Sequence, residues 1–269
     1  MANPKYGRSA RLRSLPTPRD HQIFEALRTH TRLTREQIRR LFFRHRNGGL
    51  TSVQAVNARL QKLVQHQFLE PLVVNGGRGA GPYAYGLGKS AKDLIRAVSR
   101  HGSLGPVRHY LEIAEFRVRL QEALEGGGGE VVEWLGETQL RSLVRQRCWP
   151  VPDALVHWRL EAWEGTFLLE WDRGSESLAV LTAKIARYGA YWRSRGHRQL
   201  VPGLGLRPRL AIVVPAVERA QRLIAWFESR PRQSFSGTLL IGLRDGVLAA
   251  PLGESWWRSD RSGIGRLQD

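Results

Sequence analysis

The alternation of apolar and polar residues divides the chain into a helical N-terminal part and a mixed C-terminal part. Between Arg19 and Val64, apolar residues recur at helical spacing in three stretches, and EPLVV–NGGRGAG–PYAYGLG then has the pattern of a β-hairpin. Thr34 begins a capping-box pattern, and we expect Thr51 to cap the third helix. Three helices followed by a hairpin predict a winged helix-turn-helix domain over residues 19–100.

From residue 107 onward, strand patterns alternate with helical ones. The predicted elements are a helix Val107–Glu125, a strand EVVEWLG, an irregular basic stretch to Trp149, two strands between Pro152 and Trp171, a helix Ser175–Arg195, a strand RLAIVVP, a helix Val217–Ser229, and one or two strands in GTLLIGLRDGVLAA. This order predicts an α/β (α+β) domain over residues 107–255, with a mixed sheet and an αβββαβ core. Residues 1–18 are expected to form a flexible basic arm and residues 256–269 a loosely ordered tail.

The positive charge of the chain is concentrated at its N-terminal end. The formal net charge is +18, and residues 1–100 carry 19 Lys and Arg against 5 Asp and Glu. Such asymmetry indicates a polyanionic partner, and DNA fits better than a membrane surface. Opposite the apolar stripe of the third helix, and at the tip of the hairpin, we predict five DNA-contacting residues: Thr51, Gln54, Arg59, Lys62 and Arg78. We expect mainly phosphate contacts, since Arg and Lys outnumber groups suited to reading bases.

Other features limit the location and assembly of the protein. The single cysteine, Cys148, allows no internal disulfide, and no signal peptide or membrane-length apolar run is seen. We therefore expect a soluble cytoplasmic protein with no membrane partner. The Trp256–Trp257 pair is expected to seat the tail, with contact in a homodimer as the alternative.

Three carboxylates cluster around the predicted strand pair of the second domain. Asp153 opens the first strand, and Glu170 and Asp172 close the second, on the face opposite Trp171. An apolar run follows Asp153 and another precedes Glu170, and carboxylates at the ends of buried strands must be paired, hydrogen-bonded or bound to metal. A hard divalent cation such as Mg²⁺ suits this set. The alternative is three solvated acids at the edge of a hairpin.

The pattern P-D, then E-x-D, then a helix resembles the PD-(D/E)XK nuclease fold. PDALV, FLLEWDRGSES and a later K-x-x-x-Y are together similar to the replication-relaxation family of plasmid and mobile-element proteins. This resemblance covers most of the chain, because that family also carries an N-terminal winged helix. It implies a restriction-endonuclease-like second domain that binds Mg or Mn and acts on plasmid or mobile-element DNA.

The resemblance also assigns roles to single residues. Asp153 and Glu170 correspond to metal ligands, the main-chain carbonyl of Trp171 to a third ligand, and Glu115 of the first helix to a further acid. Asp172 stands where the nuclease fold has its lysine, so Lys184 on the following helix is the candidate replacement. The alternative for Lys184 is a surface ion pair with Glu176 or Asp172.

Two functions remain open from the sequence. One is a metal-dependent endonuclease or nickase with Asp153, Glu170, Asp172, Lys184 and Glu115 as catalytic residues. The other is a catalytically inactive DNA-binding regulator of plasmid replication on the same scaffold, which the missing strand lysine favours. Tyr188 and Tyr191 raise a third possibility, a tyrosine nucleophile, but core packing is the preferred interpretation for both.

Overall fold

The computed structural model describes residues 16–45, 48–74, 83–95, 107–143, 150–161, 163–194, 208–231, 235, 237–260 and 263–267. The chain divides into two compact units, Met1–Leu111 and Glu112–Asp269. Residues 1–15 of the predicted arm, residues 101–106 between the two predicted domains, and Cys148 lie outside the described residues. The domain limits given above stay a prediction.

The first unit contains helices and a small antiparallel sheet in the predicted order. Its elements are α1 (Pro18–His30), β1 (Leu33–Thr34), α2 (Arg35–Phe42), α3 (Val53–Gln65), β2 (Leu69–Val73), β3 (Tyr83–Leu87) and α4 (Lys89–Leu94). The strands lie in the order β1-β3-β2. Strand β1 and helix α4 are additional to the three helices and the hairpin that the pattern predicts.

Side-chain caps set where the helices of this unit begin. The Thr34 hydroxyl accepts from the main-chain N–H of Gln37, and the Gln37 side chain accepts from the main-chain N–H of Thr34, as the capping-box pattern predicts. Helix α3 is capped by Ser52, whose hydroxyl accepts from the N–H of Ala55 at 3.3 Å. The expectation that Thr51 caps α3 is therefore wrong by one residue.

The second unit is built on a mixed seven-stranded sheet. Its elements are α5 (Val107–Gly126, which begins in the first unit), β4 (Glu130–Gly136), α6 (Glu137–Leu143), β5 (Ala154–Leu160), β6 (Trp163–Trp171), α7 (Leu178–Arg193), β7 (Arg209–Val214), α8 (Val217–Glu228), β8 (Leu239–Leu243), α9 (Arg244–Ala249), β9 (Trp256–Arg258) and β10 (Gly263–Gly265). The strand order is β10-β9-β8-β7-β6-β5-β4, with β6-β7 and β7-β8 parallel and the other pairs antiparallel. The predicted α/β class with a mixed sheet is confirmed.

Two apolar layers cover the faces of this sheet. Phe116 and Leu120 of α5 pack with Phe167, Leu169 and Trp171 of β6 on one face. On the other face, residues of α7 and α8 pack with Leu168 and with the alternate residues of β7. Successive residues of β6 therefore face different layers, as strand geometry requires, which places Glu170 on the α7 side.

Some local expectations in this unit are wrong. Residues 137–143, expected to be irregular, form α6. The stretch GTLLIGLRDGVLAA forms one of its one or two expected strands as β8, whereas RDGVLA forms helix α9 in place of a second strand. The tail was expected to be loosely ordered, but it contributes β9 and β10, and Trp256 is fully buried against the α5 layer. Hydrogen bonding to β8 orders a segment whose own sequence has only a weak strand signal.

Candidate active site

Asp153 and Glu170 come together at one end of the β5–β6 hairpin. The hairpin register pairs Ala154 with Leu169, so Asp153 and Glu170, the next residue on each strand, are neighbours. The N–H of Asp153 donates to the carbonyl of Leu169 at 3.0 Å. The Asp153 carboxylate accepts from the N–H of Trp171 at 2.7 Å, which holds it at the end of β6. The predicted convergence of these two acids follows from the hairpin register.

The Glu170 carboxylate is buried and held by two side chains of α7. Only 4% of Glu170 is exposed. One carboxylate oxygen forms an ion pair with the Lys184 ammonium, and the other accepts from the Tyr188 hydroxyl. Lys184 and Tyr188 are four residues apart and therefore lie on the same side of α7. A helix-borne lysine thus contacts the acid at the end of β6, and its role as the replacement for the strand lysine stays a prediction.

The N-terminal cap and the apolar face of helix α7 place Lys184 and Tyr188 near Glu170. The helix begins after Ser177, whose hydroxyl accepts from the N–H of Val180 at 3.3 Å. The helix is shorter at both ends than the predicted Ser175–Arg195. Its buried side carries Leu181, Ile185 and Trp192, which pack on the sheet and bring Lys184 and Tyr188 over the end of β6.

Burial and nearby charges perturb the protonation of this cluster. Burial raises the pKa of Glu170 to about 7; the charge of Lys184 reduces this effect and that of Asp153 adds to it. Burial works against the charged form of Lys184, but the attraction of Glu170 and Asp153 outweighs it and raises the pKa of Lys184. Burial and the charge of Glu170 raise the pKa of Tyr188 well above its ordinary value, so Tyr188 stays a hydrogen-bond donor.

Asp172 is engaged elsewhere. Its carboxylate forms an ion pair with Arg219 of α8, whose Nη2 donates to Asp172 Oδ1 at 3.1 Å, and the same oxygen accepts from the N–H of Gly174 at 2.8 Å. Arg219 also donates to the carbonyl of Glu176 at 2.8 Å. The expected cluster of three carboxylates is therefore reduced to Asp153 and Glu170. The alternative pairing of Lys184 with Asp172 is also absent from these contacts.

Of the four acids of α5, Glu112 contacts the end of β6. Glu115 pairs with Arg119 one turn along the helix at 3.0 Å. The Glu112 carboxylate accepts from the Trp171 indole N–H at 2.9 Å and lies 3.7 Å from Arg173. The Trp171 side chain belongs to the α5 layer, across the sheet from Glu170. The assignment of Glu115 as a further acid of the site stays a prediction.

The cluster supplies two hard oxygen ligands rather than a closed metal cage. Among the described residues, no group of three or more His, Cys, Asp and Glu side chains is arranged to hold a metal ion. Mg²⁺, however, is commonly bound by one or two carboxylates together with substrate phosphates and water. Asp153 and Glu170 therefore fit a cation shared with a phosphate, and they do not fit one held by protein side chains alone.

The residues predicted to contact DNA have different environments on α3. Gln54 and Lys62 are exposed, and Thr51 is half-buried, with its carbonyl accepting from Arg39 Nε at 2.7 Å. Arg78 lies outside the described residues. The fifth residue, Arg59, points into the protein, as described next.

Arg59 binds a buried carboxylate of α1. Its Nε donates to Asp20 Oδ1 at 3.0 Å, and its Nη2 pairs with the other oxygen of this fully buried side chain. Burial of Asp20 would raise its pKa, but the bonds from Arg59 and Thr17 outweigh this and lower it. Arg59 therefore joins α3 to α1, which does not agree with its expected role as a DNA contact.

Two partners of the acids are absent from the sequence predictions. The sequence interpretation of Tyr188 as a nucleophile or a core residue leaves out its contact with Glu170, although the K-x-x-x-Y spacing places it beside Lys184 on the same helix face. Arg219 had no usable signal, because its partner Asp172 is 47 residues away in the chain.

Comparisons with known proteins place the chain among proteins described as replication-relaxation. The model of that family matches residues 24–204, which is more than half of the chain. No curated protein matches the sequence. A solved structure of the restriction endonuclease FokI bound to DNA is similar with a TM-score of 0.30 and 11% identity, over 86% of this chain and 43% of that one. This likeness is too weak to establish a shared fold, and this chain spans less than half of the FokI chain. On the family match, the chain belongs to the replication-relaxation family.

Proposed function

We propose that this protein binds DNA in the replication or transfer of a plasmid or mobile element and cleaves it as a metal-dependent endonuclease or nickase. The observation that carries the proposal is the contact of the Lys184 ammonium with the buried Glu170 carboxylate, beside Asp153. A strand-end acid pair with an adjacent cation is the set of groups that phosphodiester hydrolysis needs. Membership in the replication-relaxation family supports a role on DNA.

Each side chain of the cluster has a task in this chemistry. Asp153 and Glu170 would hold Mg or Mn, with the Trp171 carbonyl as a proposed further ligand. A bound divalent cation polarises the phosphate and lowers the pKa of an attacking water. The Lys184 ammonium stabilises negative charge that builds up on the phosphate oxygens. The Tyr188 hydroxyl keeps one oxygen of Glu170 in place.

The first unit is proposed to deliver DNA to this centre as a winged helix. Three helices and an antiparallel sheet, with 19 Lys and Arg against 5 Asp and Glu in residues 1–100, support this role. Arginine and lysine side chains that neutralise phosphates release counterions, so binding should weaken steeply as salt concentration rises. Among the described residues, no helix is long and apolar enough to cross a bilayer.

Nicking of supercoiled plasmid in the presence of Mg²⁺ or Mn²⁺ tests the proposal. We expect the wild-type protein to produce nicked circles, and Asp153→Asn, Glu170→Gln and Lys184→Met each to lower the rate by on the order of 100-fold or more. Glu228→Gln, an exposed acid at the end of α8, is the matched control and should nick at the wild-type rate. Equal rates in all five proteins would contradict the assigned centre, because a contaminating nuclease behaves in that way.

The second candidate is a DNA-binding regulator without nuclease activity. It is favoured by the engagement of both Glu170 oxygens by Lys184 and Tyr188, and by the pairing of Asp172 with Arg219. This candidate predicts salt-sensitive plasmid binding with no metal-dependent change in plasmid topology. Binding without nicking in both Mg²⁺ and Mn²⁺ would decide in its favour.

A further inference from the structure

The exposed side of α3 carries a line of amides that the proposed function does not yet use. Gln54, Ala58, Gln61 and Gln65, here called the glutamine stripe, follow one another at spacings of four, three and four residues and are all exposed. At about 100° per residue these four positions fall within one narrow strip of the helix surface. The strip is roughly 16 Å long, about the height of five base pairs.

The glutamine stripe contains no charge. The helix Val53–Gln65 has two cations and no carboxylate, and one of the cations, Arg59, is taken by Asp20. Lys62 is exposed at the edge of the stripe. The prediction that cations dominate this surface counts Arg59 among its exposed residues. Because Arg59 binds Asp20 instead, the exposed face of α3 presents mainly amides rather than cations.

A neutral amide distinguishes bases better than it binds phosphates. The side-chain amide of glutamine holds a donor NH2 group beside an acceptor carbonyl, which together match the N7 acceptor and the N6 donor of adenine in the major groove. The methyl group of alanine contacts the methyl group of thymine, and its small size lets the helix approach the base edges. In the part of the chain that the structure describes, no protein group hydrogen-bonds to the three glutamine amides.

We propose that the glutamine stripe reads A·T base pairs in the major groove, so that this protein binds a specific duplex sequence. The proposal rests on the proposed DNA-binding function of the first unit and adds the kind of site that it recognises. Gln54 and Gln61 each bind one adenine, with Ala58 between them against a thymine. Lys62 binds a phosphate at the edge and contributes affinity without selectivity.

The A·T preference is tested by mixing the full-length protein with a library of DNA duplexes that have a randomised central segment. The bound duplexes are then selected and sequenced. We expect wild-type protein to enrich a motif that contains A·T pairs. Gln54→Ala and Gln61→Ala should each remove the preference at one base pair, which lowers affinity for the selected duplex by about 5- to 150-fold and leaves affinity for a scrambled duplex unchanged. Lys62→Ala should weaken binding to both duplexes alike and reduce the salt dependence by about one counterion.

The matched control is Gln22→Ala, which removes an exposed glutamine from α1 and should preserve the selected motif. Circular dichroism of each variant keeps loss of folding apart from loss of contact. DNA binding without any enriched motif, or equal losses on selected and scrambled duplexes in Gln54→Ala and Gln61→Ala, would overturn the proposal and leave the proposed function standing. Absence of binding to the whole library would overturn both.

Discussion

The buried carboxyl of Glu170 makes the stability of the second unit depend on pH in a predictable way. Burial raises its pKa from 4.5 to about 7 in the folded protein. Between these values, the unfolded chain releases the proton and the folded chain keeps it. The stabilisation is therefore complete below pH 4.5 and is lost as the pH rises to about 7. The loss corresponds to about 3 kcal/mol of unfolding free energy.

Glu170→Gln is the perturbation that isolates this effect, because glutamine keeps the shape of the side chain and has no proton to lose. We expect the unfolding free energy of wild type minus that of Glu170→Gln to fall by about 3 kcal/mol between pH 4.5 and pH 7.5. Titrating groups that do not interact with Glu170 contribute equally to both proteins, so their contributions cancel in the difference. A chelator keeps divalent cations out of the measurement.

Tryptophan fluorescence in a urea titration measures the unfolding free energy of the second unit, which contains Glu170. All nine tryptophans lie beyond residue 133, so the signal reports unfolding of the second unit alone. Glu228→Gln, at an exposed site, should show no pH-dependent difference from wild type. A difference between wild type and Glu170→Gln that is constant with pH, or that grows as the pH rises, would refute the reasoning. The second result would mean that Lys184 and Tyr188 hold Glu170 ionised against its burial.

Three further substitutions test contacts outside the cluster. Arg59→Ala should destabilise the first unit by about 3–5 kcal/mol, because it leaves the Asp20 carboxylate buried without its partner. Urea unfolding followed by far-ultraviolet circular dichroism detects this loss of stability. The unfolding transition seen by tryptophan fluorescence should not change. Gly88→Ala should cost about 1–3 kcal/mol by the same measurement, since a Cβ there would lie 2.2 Å from the main-chain oxygen of Gln67, which cannot move like a side chain. Ser177→Ala removes the cap of α7 and should lower the stability of the second unit by about 1 kcal/mol in a urea titration followed by fluorescence; an unchanged midpoint would show that the cap is not needed.

The predictions that held rest on local periodicity. Alternation along Phe167–Trp171 places Glu170 and Trp171 on opposite faces whatever the rest of the chain does, and the hairpin register then brings Asp153 beside them. The capping pattern at Thr34 works in the same way, since all its partners lie within three residues. Such features are determined by backbone geometry over a few residues.

The structure departs from the sequence interpretation mainly in the partners of charged side chains. Asp172 is a carboxylate close to Glu170 in the sequence, as a metal ligand would be, but it forms an ion pair with Arg219 of α8. Arg59 borders the buried stripe of α3, and its guanidinium binds the Asp20 carboxylate of α1. A charged side chain takes the opposite charge that the fold brings nearest, and sequence spacing carries no information about that distance.

By itself, the sequence determined the order of the elements, the mixed α/β class, the approach of Asp153 to Glu170 and the position of Lys184 on the next helix. The tertiary structure decided which of the acids are available, which cations face outward, and that the tail completes the sheet through β9 and β10. The physical reason is one of range. Strand alternation and helical spacing act over a few residues, whereas ion pairs and strand additions join segments that only the packed fold brings into contact.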